Sequence, residues 1–178
     1  MKPVKEMSQS ELAAYVHSTL LNNGIDVVLS GGAAVVIYSE GKYVSMDIDL
    51  VNAGFSKDQE IENVMEGIGF SRIGQHFKHP DTDYYVEFPP GPLTIGDRVV
   101  ESIAELTYET GTLRVLSPTE CVMDRLSHYY HWGDRQCLAQ AELVADQNQI
   151  DLDAVMRWSE AEGKLGEFNQ IRNRLGRQ

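Results

Sequence analysis

Two short apolar segments near the N-terminus limit the possible folds, because each carries polar groups that an ordinary buried strand lacks. The segment IDVVLS, residues 25–30, is rich in β-branched residues and ends at two glycines. The segment VSMDIDLV, residues 44–51, is equally apolar but contains Asp47 and Asp49. Burying a carboxylate without a partner costs on the order of several kcal/mol. The fold must therefore compensate these two charges or leave them solvated at the end of a strand.

Strand periodicity predicts that the two aspartates share one face. Residues two apart in a strand point the same way, so Asp47 and Asp49 project together while Met46, Ile48 and Leu50 project to the core. Two carboxylates that close repel each other unless one is protonated or a cation lies between them. Mg²⁺ typically binds through one or two carboxylates and substrate phosphates. The motif therefore indicates a divalent-metal site, with a solvated strand end as the alternative.

The glycine pair lies where the first strand meets a predicted helix. Glycine has no Cβ, so its backbone N–H groups can approach an anion closely. The N-terminus of the helix adds unpaired donors and the positive end of the helix dipole. Ser30, Gly31 and Gly32 are therefore candidates for phosphate binding, and a purely structural turn is the alternative. The sequence contains no P-loop motif, and no GxGxxG follows the strand.

A third carboxylate is available on a later predicted strand. In DYYVEF, residues 83–88, Glu87 alternates with Val86 and Phe88 and so faces away from their apolar side. Glu87 can complete a set of three carboxylates with the two aspartates, and Asp83 is the fallback. The alternative for Glu87 is an exposed position on an edge strand.

The periodicity of the whole chain predicts an α/β (α+β) fold with a mixed sheet flanked by helices. The periodicity of the apolar residues changes near Pro118, after which only helical patterns remain. We therefore predict an α/β core over residues 1–117 and a helical C-terminal subdomain over 118–178. The predicted helices before Pro118 are 8–24, 31–41 and 56–69. Ser8 or Ser10 is the predicted cap of the first helix, and Ser56 that of the third. The predicted strands are 25–30, 44–51, 71–80 and 83–88, and a predicted hairpin joins 104–110 to 112–117.

Composition limits the partners and the compartment. Residues 1–117 contain 8 Lys or Arg and 17 Asp or Glu, a net charge of −9 out of −12 for the whole chain. This acidity disfavours a broad nucleic-acid interface, which needs basic surface. The longest apolar run, 33–38, is too short to span a bilayer, and the N-terminus lacks the apolar segment of a signal peptide. We expect a cytoplasmic protein whose Cys121 and Cys137 are reduced and packed.

The order of these motifs resembles the nucleotidyltransferase superfamily related to DNA polymerase β. Members carry Gly-Ser or Gly-Gly, then Asp-x-Asp, then a carboxylate on a later strand, as residues 28–51 and Glu87 do here. Together with the tail LSPTECVMDRLSHYYHWGDRQCLAQA, residues 116–141, the front motif is most similar to bacterial AbiEii-type toxin and minimal antitoxin nucleotidyltransferase-like proteins. The resemblance covers roughly residues 12–145 and implies a nucleotidyltransferase-like mixed sheet.

The resemblance also implies an activity. A nucleoside monophosphate would pass from an NTP to a hydroxyl on a protein, a small molecule or an RNA end, with Mg²⁺ or Mn²⁺ as cofactor. Glu87 is also the candidate general base, and Arg135 is a further candidate for contact with phosphate or acceptor. The candidate catalytic and metal-binding residues are Asp47, Asp49 and Glu87; the candidate nucleotide-binding residues are Ser30, Gly31, Gly32, Lys42 and Arg125.

Several alternatives stay open. Gly32 stands where catalytic members often have Ser, and Arg125 where relatives often have Lys, for which Arg is not a simple substitute. A non-catalytic nucleotide- or partner-binding protein, such as the regulatory half of a toxin–antitoxin-like pair, is therefore the second hypothesis, and a metal-dependent phosphoesterase is the third. A zinc site near His76 and His79 fits no established spacing, and the aromatic residues at 128–132 either pack in the core or stack on a base.

Overall fold

The computed structural model describes residues 2–176 of the chain. Within that range the helices are α1 (Gln9–Asn22), α2 (Gly31–Tyr38), α3 (Asp58–Gly67), α4 (Pro118–Trp132), α5 (Arg135–Gln147), α6 (Leu152–Ala161) and α7 (Leu165–Leu175), after a 3-10 turn at Val4–Glu6. The strands are β1 (Val27–Ser30), β2 (Asp47–Asn52), β3 (Ser71–Ile73), β4 (His76–Lys78), β5 (Tyr85–Glu87), β6 (Thr94–Ile95), β7 (Arg98–Val99), β8 (Ile103–Tyr108) and β9 (Gly111–Leu116).

A mixed seven-stranded sheet forms the centre of this fold, in the order β3-β4-β5-β2-β1-β9-β8. Strand β2 is antiparallel to β1 and parallel to β5, whereas β1 is parallel to β9. Helices flank the sheet, as the sequence predicts. The pair β6-β7 forms a small separate sheet that the sequence did not predict, because its strands are two residues long and follow the proline-rich segment 89–92.

Local signals determine where helix α1 begins. The hydroxyl of Ser8 accepts a hydrogen bond from the backbone N–H of Glu11 at 3.3 Å, and the Glu11 carboxylate accepts one from the Ser8 N–H at 2.8 Å. This reciprocal arrangement satisfies two helix donors and confirms Ser8 as the cap. Leu12, Val16 and Leu20 recur along one side and are fully buried.

Two predicted boundaries are wrong, for physical reasons that the structure gives. Strand β2 begins at Asp47 rather than at residue 44, because the Ser45 hydroxyl accepts the Asp47 N–H in a local turn that keeps 44–46 out of the sheet. Ser56 does not cap α3, because Asn52 engages it: the Asn52 side-chain oxygen accepts the Ser56 N–H at 3.0 Å, and the Asn52 amide donates to the Ser56 carbonyl. Helix α3 starts at Asp58, with Lys57 at its cap position.

The segment predicted as one strand over 71–80 is instead a hairpin. Strands β3 and β4 pair antiparallel around Gly74, which adopts a left-handed φ of +65°. Glycine tolerates this conformation and so permits the tight reversal. The predicted second hairpin is confirmed as β8 and β9, although Gly111 lies in β9 and the turn is formed by residues 109–110.

The C-terminal helices share the core of the sheet. Helix α4 starts at Pro118, whose missing N–H costs nothing at that position, and Ser117 caps it by accepting the Glu120 N–H. One continuous buried cluster contains residues from both sides of this boundary, and α2 packs against both α4 and α5. The division into units 1–117 and 118–178 stays a prediction. No helix within residues 2–176 combines the length and hydropathy that crossing a bilayer requires.

Candidate functional site

Four polar side chains form a row across four neighbouring strands. Ser30 of β1 pairs in register with Asp49 of β2, Asp49 pairs with Glu87 of β5, and Glu87 pairs with His76 of β4. Register partners project to the same face of a sheet, and neighbouring strands lie about 4.8 Å apart. We call these residues the Asp49 row. Three of the residues singled out from the sequence, Ser30, Asp49 and Glu87, are therefore direct neighbours.

A second row lies two residues along on the same face. Asp47 of β2 pairs with Tyr85 of β5, and Tyr85 pairs with Lys78 of β4. The Lys78 ammonium donates to the Tyr85 hydroxyl at 3.4 Å and lies 4.6 Å from the centre of the Tyr85 ring. We call these three residues the Asp47 row. The residues between the two rows, which are buried on the opposite face, are Ile48, Val86 and Phe77.

The glycine turn lies directly against Asp49. Gly31, the first residue of α2, has a left-handed φ of +64°, and a Cβ on it would lie 2.2 Å from a carboxylate oxygen of Asp49. A Cβ on Gly32 would lie 2.9 Å from the hydroxyl of Ser45. Only residues without side chains allow this approach, so the N-terminus of α2 and the Asp49 carboxylate occupy one location. Ser30 precedes the helix, and its side chain does not cap it.

Asp49 is electrostatically crowded. Burial, followed by the charges of Glu87 and Asp47, raises its pKa to about 6. Arg125 opposes the shift, and Asp124 adds to it. Ionised Asp49 therefore destabilises the folded protein near neutral pH, and a cation at this position would offset that destabilisation.

Glu87 is held by a neighbouring histidine. Its carboxylate oxygen lies 2.5 Å from Nδ1 of His76, and the His76 ring is tilted 5.8 Å from the ring of Tyr85. The sequence suggested His76 only as a zinc candidate with His79, but the two histidines contact different groups. The ring of His79 packs on Phe70 at 5.2 Å and accepts a backbone N–H two residues later.

Helix α4 faces this region of the sheet with a charged pair. Asp124 and Ser30 both line a cavity of about 240 Å³ between α4, the sheet and the segment 89–95. Arg125 donates to the Asp124 carboxylate at 2.6 Å and to Gln140 at 3.4 Å, and only 11% of its side chain is exposed. Although burial opposes its charge, Asp124 raises the pKa of Arg125 above its ordinary value. Arg125 acts on Asp49 through its charge and is bound to other partners.

The aromatic residues at the end of α4 divide between core and surface. Tyr130 is buried, stacks on Trp158 at 5.6 Å between ring centres, and pairs with the hydroxyl of Ser159. Trp132 is 73% exposed, with the half-buried ring of His128 at 5.2 Å. The core interpretation is therefore confirmed for Tyr130, and stacking of an aromatic residue of this segment on a base stays a prediction.

Among the described residues, two predicted contact residues form no bond with either row. Lys42 is exposed in the loop after the C-terminus of α2, an eight-residue helix about 12 Å long whose other end holds Gly31. Arg135 is exposed at the start of α5. Within residues 2–176, neither side chain forms a hydrogen bond or an ion pair with either row.

Sequence reasoning missed three residues that shape the site. Gln9 is buried and donates to the carbonyls of Ser45 and Asp47 at 2.9 and 3.2 Å, which fixes the start of β2. That contact spans more than 30 residues of sequence and leaves no local signal. Lys78 and Asp124 were also missed. The alternation in HFK, residues 76–78, places Lys78 on the face opposite Phe77, and was the signal available for it.

The three carboxylates are of the chemical type that binds a hard divalent cation, but they are not arranged around a metal position. Asp47, Asp49 and Glu87 offer carboxylate oxygens on one face, which are the ligands that Mg²⁺ and Mn²⁺ prefer. Across residues 2–176, however, no group of three or more His, Cys, Asp or Glu side chains is arranged to hold a metal ion. The Glu87 carboxylate lies instead against Nδ1 of His76.

Comparisons with known proteins find a similar fold among solved structures. No family model matches the sequence, and no curated protein matches it significantly. Among solved structures, the chain is similar to an antigenic nucleotidyltransferase-like protein from Paracoccidioides brasiliensis, with a TM-score of 0.61 and 16% identity over 95% of this chain and 94% of that one.

Two structures of the antibiotic-resistance factor ANT(2'')-Ia are also similar. Its solution structure has a TM-score of 0.52 and 14% identity, over 90% of this chain and 91% of that one. Its crystal structure in complex with adenylyl-2''-tobramycin has a TM-score of 0.50 and 15% identity, over 89% and 95%. At these identities the likeness concerns the fold alone, and the chain has the nucleotidyltransferase-like fold that its sequence motifs predict.

Proposed function

We propose that this protein is a metal-dependent nucleotidyltransferase that transfers a nucleoside monophosphate from an NTP to a hydroxyl acceptor. The observation that carries the proposal is the register of β2 and β5, which sets Asp49 beside Glu87 with Asp47 on the same face. The glycine turn at the N-terminus of α2 lies against Asp49, so an anion site and a carboxylate set meet at one location. The similarity in fold to nucleotidyltransferase-like proteins supports this assignment.

In this proposal the glycine turn binds the phosphates. The first N–H groups of α2 have no partner within the helix and carry the positive end of its dipole. Gly31 and Gly32 have no side chains of their own to shield those donors, and the Ser30 hydroxyl, which does not cap the helix, is a further candidate donor. Lys42, exposed in the loop after α2, stays a candidate phosphate contact, and Arg125, which is bound to Asp124, contributes its charge.

The carboxylates provide the metal and proton chemistry. Asp47, Asp49 and Glu87 would hold Mg²⁺ or Mn²⁺, and the bound ions would supply Lewis-acid stabilisation of charge on the phosphoryl oxygens. Glu87 accepts the proton of the acceptor hydroxyl as general base. Glu87 would leave His76 to join the ion, and the approach of a cation to Asp49 and Asp47 offsets their mutual repulsion.

The acceptor and the biological setting are open within this proposal. ANT(2'')-Ia has been solved with adenylyl-2''-tobramycin, and the acceptor here is a hydroxyl on a protein, a small molecule or an RNA end. The net charge of −12 makes a large RNA the least favoured of these. The sequence resemblance to AbiEii-type and minimal antitoxin proteins would suit a toxin–antitoxin-like setting, and the location we propose is cytoplasmic.

A non-catalytic protein of the same fold is the second candidate, and two contacts favour it. Glu87 is engaged by His76, and Arg125 by Asp124 and Gln140, so neither is free for the role that the resemblance gives it. Such a protein would bind a nucleotide or a partner protein without transferring anything.

Thermal denaturation separates the two candidates. For the enzyme we expect Mg²⁺ and NTP together to raise the melting temperature, and the double variant Asp47→Asn/Asp49→Asn to lose this shift. Asp81→Asn, at an exposed position outside both rows, is the matched control and keeps it. Absence of any NTP binding at millimolar Mg²⁺ would contradict the proposal and favour the partner-binding candidate. Release of pyrophosphate rather than phosphate on turnover excludes a phosphoesterase.

A further inference from the structure

We propose that Lys78, held on the ring of Tyr85, is an anion-binding subsite at the edge of the Asp47 row. It takes a phosphate or another singly or doubly charged anionic group of a bound substrate. The inference rests on the proposed function, because it assigns a substrate contact within the same site. Its test is nevertheless separable from that of nucleotidyl transfer.

Lys78 is a cation without an anionic partner in an acidic protein. Lys2 and Lys164, by contrast, lie 2.7 and 3.0 Å from the carboxylates of Glu11 and Glu167. Within residues 2–176 no carboxylate oxygen lies within 4.0 Å of the Lys78 ammonium, although the chain carries 27 Asp and Glu. Lys5, Lys42 and Lys57 also lack a carboxylate partner in that range but are exposed, whereas Lys78 is partly buried.

Tyr85 determines where this charge is held. The Lys78 ammonium is 4.6 Å from the centre of the Tyr85 ring and 3.4 Å from its hydroxyl. A cation above an aromatic ring is attracted by the negative face of the ring, which orders the side chain without neutralising its charge. The ammonium therefore keeps donors for a ligand.

The position of the ammonium relates it to the carboxylates. Lys78 projects from the same sheet face as Asp47, with Tyr85 of the intervening strand between them. Because β5 lies between them, the backbones of β4 and β2 are two strand spacings apart, about 10 Å. The Lys78 side chain extends over Tyr85 and spans part of that distance. The glycine turn lies on the other side of β2, next to Asp49. Lys78 and the turn thus flank the aspartates from opposite sides.

The chemistry of this arrangement selects for negative charge. A lysine ammonium binds phosphate as a compact point charge with three donors. It would repel an amine-rich acceptor and attract an acceptor that carries a phosphate or a carboxylate. The same contact would serve any phosphate of the NTP that extends past the aspartates toward β4. The shared chemistry is an oxyanion, and titrations distinguish its two sources.

The experiment is calorimetric titration of the intact protein with a non-hydrolysable ATP analogue and Mg²⁺. Lys78→Met is compared with wild type, with Lys78→Arg as the charge-preserving variant and Lys5→Met, at an exposed surface lysine, as the control. Loss of one charge-assisted contact weakens binding about tenfold. If the NTP supplies the anion, the dissociation constant rises about tenfold in Lys78→Met and stays within about threefold of wild type in the two other variants.

A second titration tests the acceptor as the source. Inorganic phosphate is added to protein already saturated with the analogue and Mg²⁺. Binding of phosphate that Lys78→Met abolishes, with the affinity for the analogue unchanged, supports the subsite and assigns it to an anionic acceptor. Equal behaviour of Lys78→Met and wild type in both titrations overturns the inference.

Failure of the proposed function gives a different result. If wild type does not bind the analogue at all, the proposed function is wrong, and titration of phosphate into the free protein decides the subsite alone. Circular dichroism and urea denaturation of Lys78→Met establish that the variant is folded before either result is interpreted.

Discussion

Asp49 on β2 and Glu87 on β5 are register partners on neighbouring parallel strands, so their carboxylates share one face of the sheet. The Gly31 backbone lies against the first of them, and His76 contacts the second. Like charges held this close oppose each other, and burial adds to the cost. This relationship underlies the proposed site and leads to measurable consequences for stability as well as for binding.

Replacing Asp49 should stabilise the protein near neutral pH. The pKa of Asp49 is raised to about 6 from its ordinary 3.8, mainly by burial, so the folded state binds this proton more tightly than the unfolded state does. Its contribution to the free energy of unfolding therefore falls as pH rises from about 4 to about 6. We expect Asp49→Asn to be more stable than wild type above that window by about 3 kcal/mol, and equal to it below pH about 4.

Urea denaturation across this pH range measures the difference, with Asp81→Asn as the exposed control. A difference between Asp49→Asn and wild type that does not change with pH would show that the ionisation of Asp49 is not its source.

Gly31→Ala should disrupt the site and the fold around it. A Cβ at this position would lie 2.2 Å from the Asp49 carboxylate, and the backbone φ of +64° is strained for alanine. Gly41→Ala is the matched control, because Gly41 has a similar φ of +78° but nothing within 4 Å of its Cβ position. We expect the control to lose about 1 kcal/mol of stability from backbone strain alone.

The difference between the two variants measures the close approach itself. We expect Gly31→Ala to lose at least about 2 kcal/mol more than Gly41→Ala in urea denaturation, as overpacking against a fixed group typically costs. Equal losses for both alanines would mean that the turn does not need to contact Asp49.

The sequence predicted the local parts of the site and missed those that depend on distant strands. Three local predictions match the structure. Asp47 and Asp49 lie on the same face of a strand, Glu87 lies on the face opposite Val86, and Ser8 caps α1. Each of these depends only on residues that are close together in the sequence. Which strand adjoins β2 is not a local property, because the parallel partner β5 follows almost forty residues later. His76 was consequently not recognised as the neighbour of Glu87.

The contact residues show the same difference between local and distant signals. Lys42 is near Asp47 in sequence and lies in the loop after α2, and its contact with phosphate stays a prediction. Lys78 is distant in sequence, yet two strand pairings bring it to the Asp47 row. The boundaries near Ser45 and Ser56 failed because side chains there bond the backbone and compete with regular structure.

A buried ion pair should hold the small β6-β7 sheet against α4. The Glu120 carboxylate is almost fully buried, pairs with Arg98 of β7, and accepts the backbone N–H of Glu101 at 3.2 Å. Removing one member of a buried pair leaves the other uncompensated, so we expect Glu120→Ala to lose about 3 kcal/mol of stability. Glu101→Ala, which removes an exposed carboxylate 3.8 Å from the same arginine, should lose less than about 1 kcal/mol.

Urea denaturation of both variants provides the test. Similar losses for Glu120→Ala and Glu101→Ala would contradict the structural role given to the buried carboxylate.

Neither cysteine should react in the folded protein. Burial raises the pKa of Cys121 above its ordinary value and, with the charge of Asp134 adding to it, raises that of Cys137 to about 11. The thiolate is the reactive form, so little of it exists near neutral pH. We expect a thiol-specific reagent to label both residues in urea and neither, within minutes, in native buffer. Rapid native labelling of Cys137 would show that the start of α5 opens readily.

The most direct test of the account is a crystal structure of the protein with Mn²⁺ and a non-hydrolysable ATP analogue. The account predicts anomalous density for Mn²⁺ about 2.2 Å from carboxylate oxygens of Asp47 and Asp49, with Glu87 turned from His76 to join them and phosphates at Gly31 and Gly32. The same soak of Asp49→Asn should lose the ion. An analogue bound elsewhere, or bound at the turn with no ion at these carboxylates, would contradict the central claim.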